Sequence, residues 1–459
     1  MNSITNSAWF HQIQPFIAPV IYAVVIVAVL PLLAGYIVLL ERKVMAHMQA
    51  RMGPMRVGPH GLLQPIADAV KLLLKEDIIP ANADKMLFWL APLVSVSMAL
   101  LAYAALPLGP AFQIADLDVG LLFILAVSSL GIYGIVLGGW ASNSHYSLLG
   151  ALRSAAQLVS YETAAGLALV SGLLFGGSLS MKALVLAQQH AGVWFVFLLP
   201  FSFFIYLVAS IAETNRAPFD LPEAESELVA GYMTEYSGFR WSLYFLAEYA
   251  NMIVVAGISV TLFLGGWLRP LASIHVHLPG SQIEILDLLP SLVFLAVAAY
   301  CVRLGLKIRV PVQKMVMFLF VGLFLLLTAV MAAALLSPTL MPGIHGGFWF
   351  ILKVLVYLYG FLWFRFTFPR YRFDQLMQLG WRFLIPLALI NLVAVGCAIM
   401  IHQAGGWPWI VAILLADAAT LIFAFWLGAQ GEQSVAPSKA SPEHRLPVEP
   451  AAPGVGVGD

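Results

Sequence analysis

Carboxylates are scarce in this 459-residue chain and unevenly placed. Of its 23 acidic residues, Glu213, Asp220, Glu223, Glu225, Glu227 and Glu235 crowd the stretch AETNRAPFDLPEAESELVAGYMTEYSGFR, residues 212–240. Glu248 follows inside the next apolar run. Glu223 and Glu227 are four apart, so a helix would put them on one face, where like charges repel. Acidic groups crowded beside a low-dielectric region hold protons more tightly, and their titrations couple. The chemistry on offer is a variable store of protons; the plainer alternative is a solvated loop. Locally the pattern suits a helix start and predicts a helix through Val229. Asp220 would be its N-cap, with Pro222 in the first turn and Glu223 reaching back.

Two more carboxylates interrupt apolar sequence. Glu162 lies in QLVSYETAAGLAL and Glu248 in FLAEYANM, while Glu213 closes a third apolar run. A charge at the centre of a membrane helix costs roughly 2.5–3.5 kcal/mol on lenient scales, so such residues usually face a bundle interior and serve a function. A position near the interface, with the side chain snorkelling or paired to an arginine, is the competing expectation. Basic residues concentrate elsewhere. ERKVMAHMQARMGPMRVGPHGLLQPIADAVKLLLKED carries Glu41, Arg42, Arg51 and Arg56 around a Gly/Pro-broken loop. There Arg51 and Arg56 are expected to clamp carboxylates of the acidic loop or of a partner, or merely to set topology. FRFTFPRYRFDQLMQLGWRF adds Arg365, Arg370, Arg372, Asp374 and Arg382.

These side chains must be positioned by membrane helices. The chain is 61% hydrophobic, only 10% charged, and has a mean hydropathy of +0.91; soluble domains are nearer a quarter charged. Continuous apolar runs of about 20 residues read as helices rather than barrel strands. The expected fold is all-α, a polytopic bundle of about 11 spans. They are placed near 16–40, 87–107, 119–140, 155–175, 193–212, 243–265, 284–302, 314–337, 349–366, 383–402 and 408–428. With the N-terminus outside and the C-terminus cytoplasmic, all Lys and Arg except Lys182, Arg269 and Lys353 fall on the inner side, 20 of 23, as the positive-inside rule asks. Leu62–Leu74 is too short to span and predicts an amphipathic surface helix with Asp68, Lys71 and Lys75 on one stripe.

Other chemistry finds little support. Cys301 and Cys397 lie far apart in apolar runs, without zinc or iron–sulfur spacing, and no GxGxxG or P-loop is present. The chain itself is expected to bind no metal, cofactor or nucleotide. Zero net charge gives no sign of nucleic-acid binding. His275 and His277 form a weak HxH pair, and His47, His60 and His145 are candidate proton relays whose default reading is structural. The first apolar run is too long for a cleavable signal peptide.

Four stretches together resemble one family, the H-type membrane subunit of the proton-translocating NADH–quinone oxidoreductase, respiratory complex I. They are ERKVMAHMQARMGPMRVGPHGLLQPIADAVKLLLKEDIIP, AETNRAPFDLPEAESELVAGYMTEYSGFRWSLYFLAEYANM, PRYRFDQLMQLGWRFLIPLALIN and ALRSAAQLVSYE. The similarity covers roughly residues 15–266 and 345–402. Membrane-bound hydrogenases carry a similar subunit and supply the alternative, but the unbroken RAPFDLPEAESELVAGYMTEYSG fits the quinone-reducing branch better. An independent transporter would more often show helices broken at mid-membrane.

The resemblance implies a subunit at the heel of the membrane arm, in a bacterial inner membrane, whose inner loops help form a quinone chamber. Quinone would be substrate, while NADH, FMN and the iron–sulfur clusters would belong to the peripheral-arm subunits. It implies proton or charge coupling through Glu162, Glu213, Glu223, Glu225, Glu227 and Glu248. Arg51, Arg56, Asp68, Lys71, Tyr161 and Arg216 would line the chamber and its surroundings. One departure stands out: about 75 residues near 270–345 interrupt the family pattern and read as two extra spans. The expected organisation is a core bundle over 1–266, an insertion over 267–345, terminal spans over 346–428 and a disordered tail over 429–459.

Overall fold

In the computed structural model, residues 8–110, 112–221, 229–270, 284–308, 310–337, 340–405 and 409–435 are described. Every regular element among them is helical. In chain order they are α1 (Ala8–Met48), α2 (Gln64–Leu74), α3 (Lys85–Ala102), α4 (Gly120–Ala141), α5 (His145–Gly176) and α6 (Met181–Ala191). Then come α7 (Phe195–Leu198), α8 (Pro200–Glu213), α9 (Gly238–Phe263), α10 (Leu289–Lys307), α11 (Pro311–Leu335) and α12 (Met341–Thr367). The last are α13 (Phe373–Gln378), α14 (Ile385–Gly405) and α15 (Trp409–Val435), with a π-helical turn, Leu379–Leu384, joining α13 to α14.

Nine helical segments among the described residues are long and apolar enough to cross a membrane; Pro200–Glu213 and Val411–Leu427 are shorter apolar helices. The chain is therefore a multi-pass membrane protein, with nine full-length spans where the sequence suggested about 11. The shortfall at 193–212 has a local cause. Proline at 200 has no N–H to give, Leu199 leaves helical geometry (φ −132°, ψ 56°), and the run divides into α7 and the 14-residue α8.

Helix ends also run past the expected spans. Helix α1 continues to Met48 and α5 begins at His145, so Glu41, Lys43 and Arg153 are helical rather than in loops. Asp220 precedes the undescribed residues 222–228; the helix expected there, with Glu223, Glu225 and Glu227, lies outside the described residues, as do His275 and His277.

Helix α9 is the axis of the bundle, with 78% of its apolar window buried. It packs on α3 and α12 and touches α1, α2, α6 and α8. Lipid is as apolar as leucine, so close packing and interhelical hydrogen bonds must hold such helices together. Tyrosines supply those bonds: Tyr103 donates to Ala250 O (2.8 Å), Tyr206 to Val255 O (3.1 Å) and Tyr244 to Gly134 O (3.1 Å). Each is worth roughly 0.6 kcal/mol on average in a membrane. Backbones approach closely at Gly150, where a Cβ would lie 2.6 Å from Gly231 Cα.

The bundle has two chemically distinct ends. At one, Glu41, Arg216, Arg365 and Arg370 converge. At the other, Lys353 donates to the carbonyls of Leu264 (2.6 Å), Gly266 (3.0 Å) and Leu268 (2.5 Å), closing the C-terminus of α9. Helices α10 and α11 form an antiparallel hairpin on the outside, only 22% and 17% buried over their apolar windows. Helix α11 meets α12 and the Pro59–Gly61 turn, and Phe294 of α10 meets Phe348 of α12 edge-on.

Candidate functional site

The charged end holds a buried ion network. Glu41, on α1, is 6% exposed and Arg216, just past α8, is 7% exposed. Arg216 reaches Glu41 Oε1 at 3.4 Å through Nη1 and Glu248 Oε1 at 2.7 Å through Nε. Arg365 of α12 also pairs with Glu41 Oε1, and the Tyr249 hydroxyl donates to Glu41 Oε2 at 2.7 Å. The guanidinium of Arg216 sits 4.4 Å from the centre of the Tyr249 ring, a cation–π contact. Nearby, Arg370 bonds Asp220 Oδ2 at 2.9 Å. Burial pushes the Asp220 carboxyl above its ordinary range, against the opposing pull of Arg370, Arg365 and Arg216.

These groups line a cavity of about 440 Å³, together with Val38, Arg42, Trp241 and Phe245. Those last four residues also line a second cavity of about 460 Å³, walled by α1, α2 and the first turns of α9. Its lining is mostly apolar: Pro31, Ala34, Leu39, Leu72, Leu73 and Leu246 among others. Its polar margin is set by Asp68, which pairs with Arg42 (2.8 Å) and Lys71 (3.6 Å). Amphipathic α2 thus presents one stripe to an apolar void and keeps its charges at the rim.

A third, smaller cavity of about 60 Å³ lies inside the bundle. Glu248 lines it as well as the charged cavity, and Glu213 and Glu162 line its far side with Ser128, Asn215 and Asn251. The Glu162 carboxylate accepts from Ser129. The three cavities are therefore linked in series by shared lining residues: an apolar void, a charged chamber, and a carboxylate-lined interior pocket.

The predicted residues divide accordingly. Asp68, Lys71, Arg216, Glu248, Glu213 and Glu162 fall along this series. Arg51 does not: it is exposed, with Nε on Gln49 at 2.8 Å. Arg56 is exposed in the same loop. Both follow the end of α1, outside the chamber that Arg365 and Arg370 occupy instead. Tyr161 is fully buried and donates to Leu376 O at 2.9 Å, joining α5 to α13 rather than lining any of the three cavities. Three residues central to the network, Glu41, Tyr249 and Arg365, were not among those expected to line the site. Their one signal in the sequence is position, a charge or phenol at the inner end of an apolar run.

Comparison with known proteins agrees on one family. The NADH dehydrogenase family model matches residues 20–396. The chain is 52% identical over 384 residues to the H-type subunit numbered 2 of the NADH-quinone oxidoreductase of Solibacter usitatus, covering 83% of this chain and 96% of that protein. It is 49% identical over 398 residues to the H-type subunit numbered 1 of the NADH-quinone oxidoreductase of Koribacter versatilis, covering 83% and 92%. It is 42% identical over 388 residues to the corresponding NADH-quinone oxidoreductase subunit of Rickettsia typhi, covering 84% and 95%.

Proposed function

The chain belongs to the NADH dehydrogenase family, and on that premise we propose that it is a membrane subunit of a proton-translocating NADH–quinone oxidoreductase in a bacterial inner membrane. It admits quinone and couples its reduction to proton movement. The observation that carries this reading is the linked series of cavities. A quinone is an apolar tail bearing a polar head, and the series offers an apolar void adjoining a charged chamber.

Electrons arrive from partner subunits, where FMN and iron–sulfur clusters reside; this chain binds neither. Full reduction of a quinone takes two electrons and two protons, so charge at the head changes during turnover. Arg216, Arg365 and Arg370 stabilise negative charge there, and Asp220, Glu41 and Glu248 respond to it by electrostatics. Glu248 faces both the chamber and the interior pocket, so a change in its proton occupancy is felt by Glu213 and Glu162. Those carboxylates pass the change toward neighbouring membrane subunits. Glu223, Glu225 and Glu227 fall in the sequence between Asp220 and Val229, and in this reading they extend the proton store. Arg51 and Arg56 serve the contact with the peripheral arm.

Ala69 is an exposed residue of α2 that lines the apolar void. Ala69→Trp should fill part of it without disturbing the core. In native membranes the KM for a long-tailed quinone should rise several-fold, while NADH oxidation by a water-soluble acceptor at the peripheral arm stays unchanged. An unaltered KM would remove the void from the quinone route.

A further inference from the structure

We infer that the tip of the α10–α11 hairpin docks the headgroup of an anionic phospholipid. Helix α11 has the least buried apolar window of the candidate spans, 17%, and α10 has 22%. Its outward face is apolar, with Leu295, Tyr300, Leu319 and Leu326 exposed, as suits acyl chains. The charge at its tip is one-sided. Arg303, Lys307 and Lys314 are all exposed there, and none has a carboxylate partner among the described residues. No Asp or Glu occurs in the sequence between Asp287 and Asp374.

The contrast is with the cations that line or flank the cavities. Arg42, Lys71, Arg216, Arg240, Arg365 and Arg370 each have a carboxylate within 4.0 Å. The hairpin tip keeps its cations for something outside the chain. Contact between α11 and the Pro59–Gly61 turn sets the tip at the α1 C-terminal end of the bundle, where the charged chamber also lies. Three cations on the helix ends that flank a short turn, at the end of two lipid-facing helices, match an anionic headgroup whose acyl chains run down the apolar face. A free phosphate would use only the charge; a phospholipid uses both features.

Each basic residue near an anionic surface strengthens attachment about five-fold, and three together on the order of 100-fold. The experiment uses the assembled complex in phosphatidylcholine nanodiscs. Cys301 and Cys397 are replaced by Ser, and a fluorophore is attached at Val310→Cys, an exposed tip position. Phosphatidylglycerol with brominated acyl chains is then titrated in. The unaltered tip should reach half-quenching at a mole fraction on the order of 100-fold below that of the variant Arg303→Gln/Lys307→Gln/Lys314→Gln.

Because basic residues also set topology, the second variant is Arg303→Lys, which keeps the charge and should quench as the unaltered tip does. Raising the salt concentration should shift the unaltered midpoint upward. Equal midpoints for the unaltered tip and the triple variant would overturn the proposal. So would quenching abolished by millimolar glycerol phosphate, which would make the site one for free phosphate. Failure of any lipid to quench, as when another subunit covers the tip, would overturn it too.

Discussion

Replacing Arg216 by methionine is the sharpest test of the ion network. Arg216 has a side chain only 9% exposed and serves two carboxylates, Glu41 at 3.4 Å and Glu248 at 2.7 Å. Glu41 keeps two other partners, Arg365 and Tyr249. Glu248 keeps no other ion pair among the described residues, so its carboxylate is left buried and uncompensated. Breaking a buried pair on one side costs about 3–5 kcal/mol, mostly as the penalty on the abandoned charge. If that loss appears in the barrier to thermal inactivation, inactivation of the complex in native membranes should run on the order of 10²–10⁴-fold faster. The companion variant Arg216→Met/Glu248→Gln removes the abandoned charge. It should recover most of the thermal resistance but not inhibitor-sensitive NADH–quinone turnover. A single variant as heat-resistant as the parent, or a double variant no better than the single, would refute the idea that Arg216 compensates Glu248.

Smaller perturbations follow from the same geometry. Tyr249→Phe deletes the 2.7 Å bond to Glu41 but keeps the ring against Arg216; it should cost about 1.5–3 kcal/mol, read in the same inactivation assay. Lys353→Met leaves the Leu264, Gly266 and Leu268 carbonyls without their shared donor. It should reduce the yield of assembled complex while leaving the quinone KM of the surviving fraction unchanged. Glu213→Gln keeps the size of the side chain but fixes its charge at zero, so protons pumped per electron should fall while electron transfer in uncoupled membranes is retained; an unchanged ratio would take Glu213 off the coupling path.

Much of this was legible in the sequence. Apolar run length marked the spanning helices, and a carboxylate inside such a run, as at Glu162 and Glu248, marked residues that line interior cavities. The amphipathic stripe of α2 was readable because three charges at helical spacing leave an apolar face. Other features were not readable. A run of apolar residues does not reveal where its helix stops, so Glu41 looked like the start of a loop although α1 continues to Met48. Arg51 and Arg56 were expected to clamp carboxylates of the acidic loop or of a partner, and no partner was assigned to Glu41. The actual partners of Glu41 lie 175 and 324 residues away, at Arg216 and Arg365. Spacing along a chain carries no information at that range.

The composition of the ion network bears on its purpose. A buried set of ion pairs is a weak way to stabilise a protein, because desolvation consumes most of the Coulombic gain and well-packed apolar residues often serve as well or better. At the opposite end of the bundle Lys353 caps the C-terminus of α9, and tyrosine hydroxyls bonded to backbone carbonyls tie the helices along its length. Glu41, Arg216, Glu248 and Arg365 are therefore not required to hold the helices together in the way those bonds are. Their distinctive property is that charge within the set is shared: Glu41 is held by two arginines, and Arg216 is divided between two carboxylates. Altering the charge at any one member redistributes the interactions of the others, and Glu248 lines both the charged chamber and the pocket of Glu213 and Glu162. A network built in this way is suited to transmit a change of charge from a chamber to the bundle interior, which is what coupling quinone chemistry to proton movement requires.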